Sequence, residues 1–320
     1  MHRLNANDQV KGFALIFVGG MLWGLIGPLV KIMWSFGSSI MFTAFLRMFL
    51  SALMMLVVIL MFKGPSALKV SRRSLILCVA LGFVSFALCT AAYNTSILLS
   101  GVTTAVVLLS TAPAFGAIAS VVIFKERVTL RRGLLYTLCV AGCMLVATGG
   151  SMLDMSSLVG VACGLLSGIC YSLTPIFARL AGDEGNPYTL NFYSFLFASM
   201  ATFPFAQPWS SASLLLNPQL LLTALALAAL PSVLAYLLYY RGVELVTEIN
   251  LVPVFGTTEI IVASLLGVLF FGDTLNIVSW MGMAMVIGTI VALGLSEREG
   301  AAPAEFVPEP DKRKTQASET

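Results

Sequence analysis

Charge is scarce in this chain, and histidine is almost missing. Of 320 residues only 10% are Asp, Glu, Lys or Arg, and the single histidine is His2 in a polar tail. A soluble domain carries about a quarter of its residues as charges, so a water-facing surface of ordinary size is excluded. Without paired histidines on one helix, zinc chemistry has no raw material. The net charge of +3 is too small and too scattered for a nucleic-acid footprint. No Gly-rich lysine loop of the nucleotide-binding type occurs, which argues against ATP as a driver. Strands of period two are also missing, since runs such as LMMLVVILMF are apolar throughout, and a transmembrane β-barrel is thereby excluded. Cys78, Cys89, Cys139, Cys143, Cys163 and Cys170 all sit inside apolar segments, without metal-type or disulfide-scaffold spacing. They read as small core residues. No cofactor and no metal are expected.

What the chain has in abundance is apolar length. Hydrophobic residues make up 58% of the sequence, and mean hydropathy is +0.95. Apolar stretches of about twenty residues recur, each long enough to cross a bilayer core of about 30 Å. The pattern predicts an all-α integral membrane protein. Its ten transmembrane helices fall near 11–33, 40–62, 74–97, 102–124, 131–150, 157–180, 188–207, 219–243, 249–271 and 277–295. Residues 1–10 read as a cytoplasmic tail. The first apolar segment lacks a cleavage-site pattern and is expected to be retained. Residues 296–320 mix Glu, Lys, Pro and Ala without periodicity and read as a disordered cytoplasmic tail.

Basic residues set the expected orientation. With the N-terminus inside, sixteen of the eighteen Lys and Arg residues fall on the cytoplasmic side, the exceptions being Lys31 and Arg47. Both termini inside requires an even number of crossings, in agreement with ten.

The chain also repeats itself. A shift of 147 residues lays Tyr93 on Tyr240, Ser100 on Thr247, Pro113 on Ile260, Phe124 on Phe271, Glu126 on Asp273 and Thr129 on Asn276. A shift of 148 puts Trp23 on Tyr171 and Lys31 on Arg179, with Pro28 and Pro175 one residue out of step. Two five-helix repeats follow, residues 11–150 and 157–295. Because five is odd, the second enters the membrane from the opposite face, and such inverted repeats give a physical route to alternating access.

Three groups of segments carry a resemblance. They are MLWGLIGPLVK near the start, AFLRMFL in helix 2, and YNTSILLSGVTTAVVLLSTAPAFGAIASVVIFKERVTLRRG with its counterpart YYRGVELVTEINLVPVFGTTEIIVASLLGVLFFGDTLN. In order, spacing and duplication they resemble the drug/metabolite transporter superfamily, in its ten-helix EamA-like branch. The resemblance implies a carrier of small organic solutes across a plasma membrane, of the bacterial inner-membrane kind, with a midplane cavity lined mainly by helices 1, 3, 4, 6, 8 and 9. It implies no single substrate. Two positions depart from the family pattern: Ile260 stands where a proline often follows the acidic residue of helix 9, and Asp273 replaces the usual glutamate before helix 10. The first leaves the bend of helix 9 open, although Pro253 can supply one.

Several residues are candidates for the pathway. Glu259 lies about ten residues, roughly 15 Å, into helix 9, near the bilayer centre. A carboxylate there costs about 2.5–3.5 kcal/mol unless it is neutralised, paired or wet. It therefore reads as a proton-coupling or amine-recognising group, or as a structural carboxyl paired with another helix. Arg47 could grip a substrate carboxylate or serve as a structural partner for polar groups. Lys31 is a gate charge or a snorkelling lysine. Trp23, Tyr93, Tyr171, Tyr236 and Tyr240 lie on helices that the resemblance places around the cavity, where rings offer apolar area, a polar edge and a face for ammonium groups. Each alone is equally an ordinary packing residue. Pro28, Pro113, Pro175, Pro231 and Pro253 interrupt helices 1, 4, 6, 8 and 9 and read as hinges or static kinks. Gly160, Gly164 and Gly168 form a close-packing face on helix 6. Thr129 and Asn276 are expected helix caps.

The favoured reading is a secondary transporter working by alternating access, in the efflux direction, on an amino acid or related solute, with drug-like molecules as a further class, driven by a proton gradient or by the solute's own gradient. The alternatives are an uptake carrier for a sugar, nucleoside or other metabolite, a passive channel and an intramembrane enzyme. The spans offer no reactive constellation for the last. Partners are the small-molecule substrate and the lipid bilayer, and either a monomer or a homodimer is compatible with the sequence.

Overall fold

Proline placement explains how the helices are built. The computed structural model describes residues 6–126, 128–152, 157–182, 186–272 and 275–300. His2, Arg127, Asp273 and most of the 296–320 tail lie outside them. Within them the helices run in order as α1 Asn7–Ser35, α2 Ile40–Phe62, α3 Arg72–Gly101, α4 Thr104–Phe124, α5 Leu130–Thr148 and α6 Leu158–Ala181. They continue as α7 Pro187–Ala206, α8 Pro218–Leu245, α9 Ile249–Phe271 and α10 Ile277–Gly300. Among the described residues eight are long and apolar enough to cross a membrane; α7 and α10 are the others. Helix α7 has 20 residues but includes Thr189, Asn191, Ser194, Ser199 and Thr202, all buried against protein. The apolar part of α10 is Ile277–Leu293.

A proline has no N–H, and its ring crowds the carbonyl four residues back. Accordingly α1 breaks at Gly24 and Leu25, ahead of Pro28. Helix α4 breaks at Ser110 and Thr111, ahead of Pro113, and α6 at Leu173, ahead of Pro175. Helix α8 widens to a π-helix over Ala229–Leu234, around Pro231. There Ser232 Oγ donates to the Leu227 carbonyl at 3.1 Å, and Asn191 Nδ2 donates to the Val233 carbonyl at 3.1 Å, so backbone groups loosened by the bulge are satisfied.

Helix α9 resolves the question left by Ile260. It breaks at Thr257 without a proline there, while Pro253 opens the short segment Val252–Gly256 after a 3-10 turn. Two hydroxyls hold the break instead: Thr257 Oγ1 donates to Val254 O at 2.6 Å and Thr258 Oγ1 to Phe255 O at 3.1 Å. Such back-bonding bends helices.

These irregularities share the register of the sequence repeat. Leu25 shifted by 148 is Leu173, and Ser110 shifted by 147 is Thr257. The π-helix Leu81–Leu88 of α3, shifted by 147, covers 228–235 and so encloses the π-helix of α8. Packing follows the same rule. Helix α3 lies on α6 while α8 lies on α1, and α2 pairs with α7 as α5 pairs with α10. The last pair runs antiparallel: a Cβ on Gly142 would meet Val286, one on Gly282 would meet Val146, and one on Gly150 would meet Val278. Gly160, Gly164 and Gly168 press on α3 and on the end of α4, where a Cβ would fall 2.2, 2.5 and 2.9 Å from Ser100 Oγ, Leu108 Cδ1 and the Leu108 carbonyl. The expected caps form, with Thr129 accepting from Arg132 N and Asn276 from Ser279 N.

Candidate functional site

The breaks of α1, α6 and α9 meet α8, just past its π-helix, around one aromatic group. Trp23, the last residue before the α1 break, is 4% exposed. Its ring centroid lies 4.9 Å from both Tyr236 and Tyr239 and 6.2 Å from Tyr171. Phe86 and Phe195 close on Tyr236 from behind, each edge to face. A cavity of about 10 Å³, room for roughly one water, is bounded by Trp23, Tyr171, Pro175, Tyr239, Pro253 and Gly256. That space is far smaller than a small-molecule site, which occupies hundreds of Å³.

Two opposite charges approach this group. Glu259 falls in the first turn after the α9 break, where the N-terminal end of Thr258–Phe271 favours a carboxylate. Tyr171 donates its hydroxyl to Glu259 Oε2 at 3.3 Å. On α2, Arg47 Nε donates to Ser232 Oγ at 2.8 Å. The guanidinium also stands beside Tyr236, within electrostatic reach of Glu259. Helix α2, which the family resemblance sets at the periphery, thus sends one side chain to the centre.

The other candidates are placed less centrally. Tyr240 is buried behind Tyr236 and Tyr239, at 5.5 and 5.9 Å. Tyr93 is half-buried and an electrostatic neighbour of Glu259, but shares no ring contact with the group among the described residues. Lys31 is exposed, with its ammonium 4.1 Å from the Phe271 ring, twelve residues or about 18 Å along α9 from Glu259. Pro175 and Pro253 line the cavity; Pro28, Pro113 and Pro231 shape helices without lining it. Sequence reasoning missed Tyr239 and Ser232. Tyr239 had a readable signal, because it follows Tyr236 by three residues and so shares its helix face. Ser232 had none, as its role depends on the bulge.

At one end of the bundle a polar clasp joins the α4–α5 connection to the α8–α9 connection. Glu126 accepts from the backbone N–H groups of Ile249 at 2.8 Å and Asn250 at 3.0 Å. Arg132 forms a forked ion pair with Glu248, and Tyr136 donates to Asn250 Oδ1 at 2.5 Å. Thr247 adds a hydrogen bond to Gln9 at 2.7 Å, while Arg179 donates to the Val243 and Val246 carbonyls that end α8.

Comparison with known proteins agrees with this architecture. The model of the EamA-like transporter family matches twice, over residues 10–148 and 158–295. An uncharacterized transporter of Archaeoglobus fulgidus is 26% identical over 282 residues, covering 88% of this chain and 96% of that one. An uncharacterized transporter of Bacillus subtilis, YwfM, is 25% identical over 201 residues, covering 62% of this chain and 67% of that protein. A crystal structure with 14% sequence identity superposes with a TM-score of 0.72 over 90% of this chain and 98% of its own, a likeness of fold. With long apolar helices and both halves matched, the chain is a multi-pass membrane protein and belongs to the EamA-like transporter family.

Proposed function

We propose that this protein is a secondary transporter that exports a small zwitterionic metabolite, an amino acid or a related solute, across the plasma membrane by alternating access. The observation that carries the reading is the convergence of Arg47 and Glu259 on one aromatic group at the helix breaks. A guanidinium pairs with a carboxylate, a carboxylate with an ammonium, and the rings take the apolar part and the ammonium face. Inward proton flow through Glu259 drives the cycle.

The mechanism needs two units, 11–150 and 157–295, that cross the membrane ten times in opposite senses, with both termini cytoplasmic. The antiparallel course of α5 and α10 and the exchanged pairing of α3 on α6 with α8 on α1 support that arrangement. The water-sized cavity fits an occluded step between two open ones. In this orientation the clasp closes the cytoplasmic end. Its counterpart at the outer end differs: Gly101 and Ser279 occupy the positions equivalent to Glu248 and Arg132. Opening inward therefore breaks an ion pair that opening outward does not.

Counterflow in proteoliposomes tests the proposal, after thermal-shift screening of the purified protein with amino acids, nucleosides, sugars and cationic drugs. The expected result is saturable counterflow of an amino acid that also raises Tm, with proton dependence abolished by Glu259→Gln. Stabilisation by a sugar or nucleoside alone, or flux without saturation, would overturn it.

A further inference from the structure

Away from the central group, a second and larger cavity opens where α3 begins and α6 ends. It measures about 460 Å³ and is lined by Arg72, Arg73, Ile76, Leu77 and Leu180. Ser74 Oγ donates to the Ala181 carbonyl at 3.4 Å, tying the two helices together at its edge. Arg72 and Arg73 are exposed in the first turn of α3, as is Lys69 just before it, and among the described residues no acidic one lines the cavity. The floor is aliphatic, with Ile76 60% exposed, and Phe83 further along α3 is 46% exposed. Two guanidinium groups over an apolar trough form an amphipathic receptor: one end wants a compact anion, the other a hydrocarbon chain.

The geometry points to a binding site for one anionic phospholipid, its phosphate held between Arg72 and Arg73 and an acyl chain laid along Ile76, Leu77 and Leu180. Arg side chains suit a phosphate because their planar donors meet its oxygens in pairs. The first-turn N–H groups of α3 add favourable polarity. A free inorganic anion would leave the aliphatic floor uncovered. A zwitterionic lipid would set its own cation against the two arginines. The inference rests on the membrane placement proposed above, with this end cytoplasmic, and not on the transported substrate. The bound lipid would brace α3 against α6, the pair whose contacts include Gly160 and Gly164.

The test uses the full-length protein, delipidated in detergent and titrated with phosphatidylglycerol, phosphatidylcholine or inorganic phosphate, read by native mass spectrometry and thermal unfolding. Phosphatidylglycerol alone should be retained one per chain and raise Tm by about 3 °C. Arg72→Gln with Arg73→Gln should weaken retention at least about tenfold. Ile76→Trp should do the same with the charges intact, by filling the trough. Lys125→Gln with Arg131→Gln, a second exposed basic pair, should change neither readout. Equal retention in the Arg72/Arg73 double variant, equal loss in the Lys125/Arg131 control, or equal stabilisation by inorganic phosphate would overturn the site. Retention of phosphatidylglycerol by a protein inert in counterflow would leave the site standing and count against the transport reading alone.

Discussion

Gly20 and Thr258 touch where α1 crosses α9: a Cβ built on Gly20 would lie 2.3 Å from Thr258 Oγ1. The same contact recurs between Gly168 of α6 and Thr111 of α4, where a Cβ would lie 2.9 Å from Thr111 Oγ1. The two contacts are copies, since Gly20 maps to Gly168 by the shift of 148 and Thr111 to Thr258 by 147. Each sits beside a helix break, so these crossings hold the broken helices around the aromatic group.

Gly20→Ala should therefore cost about 1–3 kcal/mol, because the crossing must spread to admit a methyl group. Gly133→Ala on α5 is the control, since a Cβ there meets nothing within 4 Å. It should be neutral or stabilise by about 0.5–1 kcal/mol. Thermal unfolding in one detergent compares them, and equal Tm values would contradict the packing argument.

The Arg132–Glu248 ion pair is only partly shielded, at 16% and 30% side-chain exposure. Neutralising either partner should lower stability, and a double-mutant cycle of Arg132→Gln and Glu248→Gln should give a coupling of about 1 kcal/mol. High salt should shrink that coupling. A coupling near zero at low salt would mean that the clasp holds through Glu126 and Tyr136 alone.

Tyr171→Phe removes the hydroxyl that donates to Glu259. At about 1 kcal/mol for such a bond, the initial rate of counterflow should fall roughly fivefold with Tm little changed. Lys31→Gln, far along α9 beside Phe271, should leave the rate within about twofold. The reverse ranking would move the functional centre to the end of α9.

Asn276 does two jobs, capping α10 through Ser279 N at 2.9 Å and donating from Nδ2 to the Gly149 carbonyl at 2.5 Å. Asn276→Ala should cost about 1–2 kcal/mol, more than Thr129→Ala, whose cap to Arg132 N is 3.4 Å long. Chemical or thermal denaturation ranks the pair, and an equal or inverted order would show that the link to Gly149 contributes nothing.

Helix positions were largely legible in the chain. The hydropathy pattern places helices at 40–62 and 249–271, and the structure has Ile40–Phe62 and Ile249–Phe271. It also ends the last helix at 295, whereas α10 continues to Gly300, because a helix can run on into water once its apolar part has ended. Proline marked four of the irregular sites directly. The break at Thr257 was less legible, because hydroxyl back-bonding does there what proline does at Pro113, and a threonine gives no comparable signal. Arg47 was ambiguous for a different reason. Its partner Ser232 is 185 residues away, and nothing local to either residue announces the other.

By itself the amino-acid order determined that this chain is helical, apolar and twofold repeated, because helix periodicity, insertion into hydrocarbon and duplication are each written in runs of neighbouring residues. Only the tertiary structure decided that Trp23, Tyr171 and Tyr239 border a space no larger than a water, with Tyr236 against Trp23, Glu259 on Tyr171 and Arg47 beside Tyr236. Those contacts join five different helices. They depend on where each helix breaks and how closely its glycines let it approach, and both are settled by packing against distant parts of the chain.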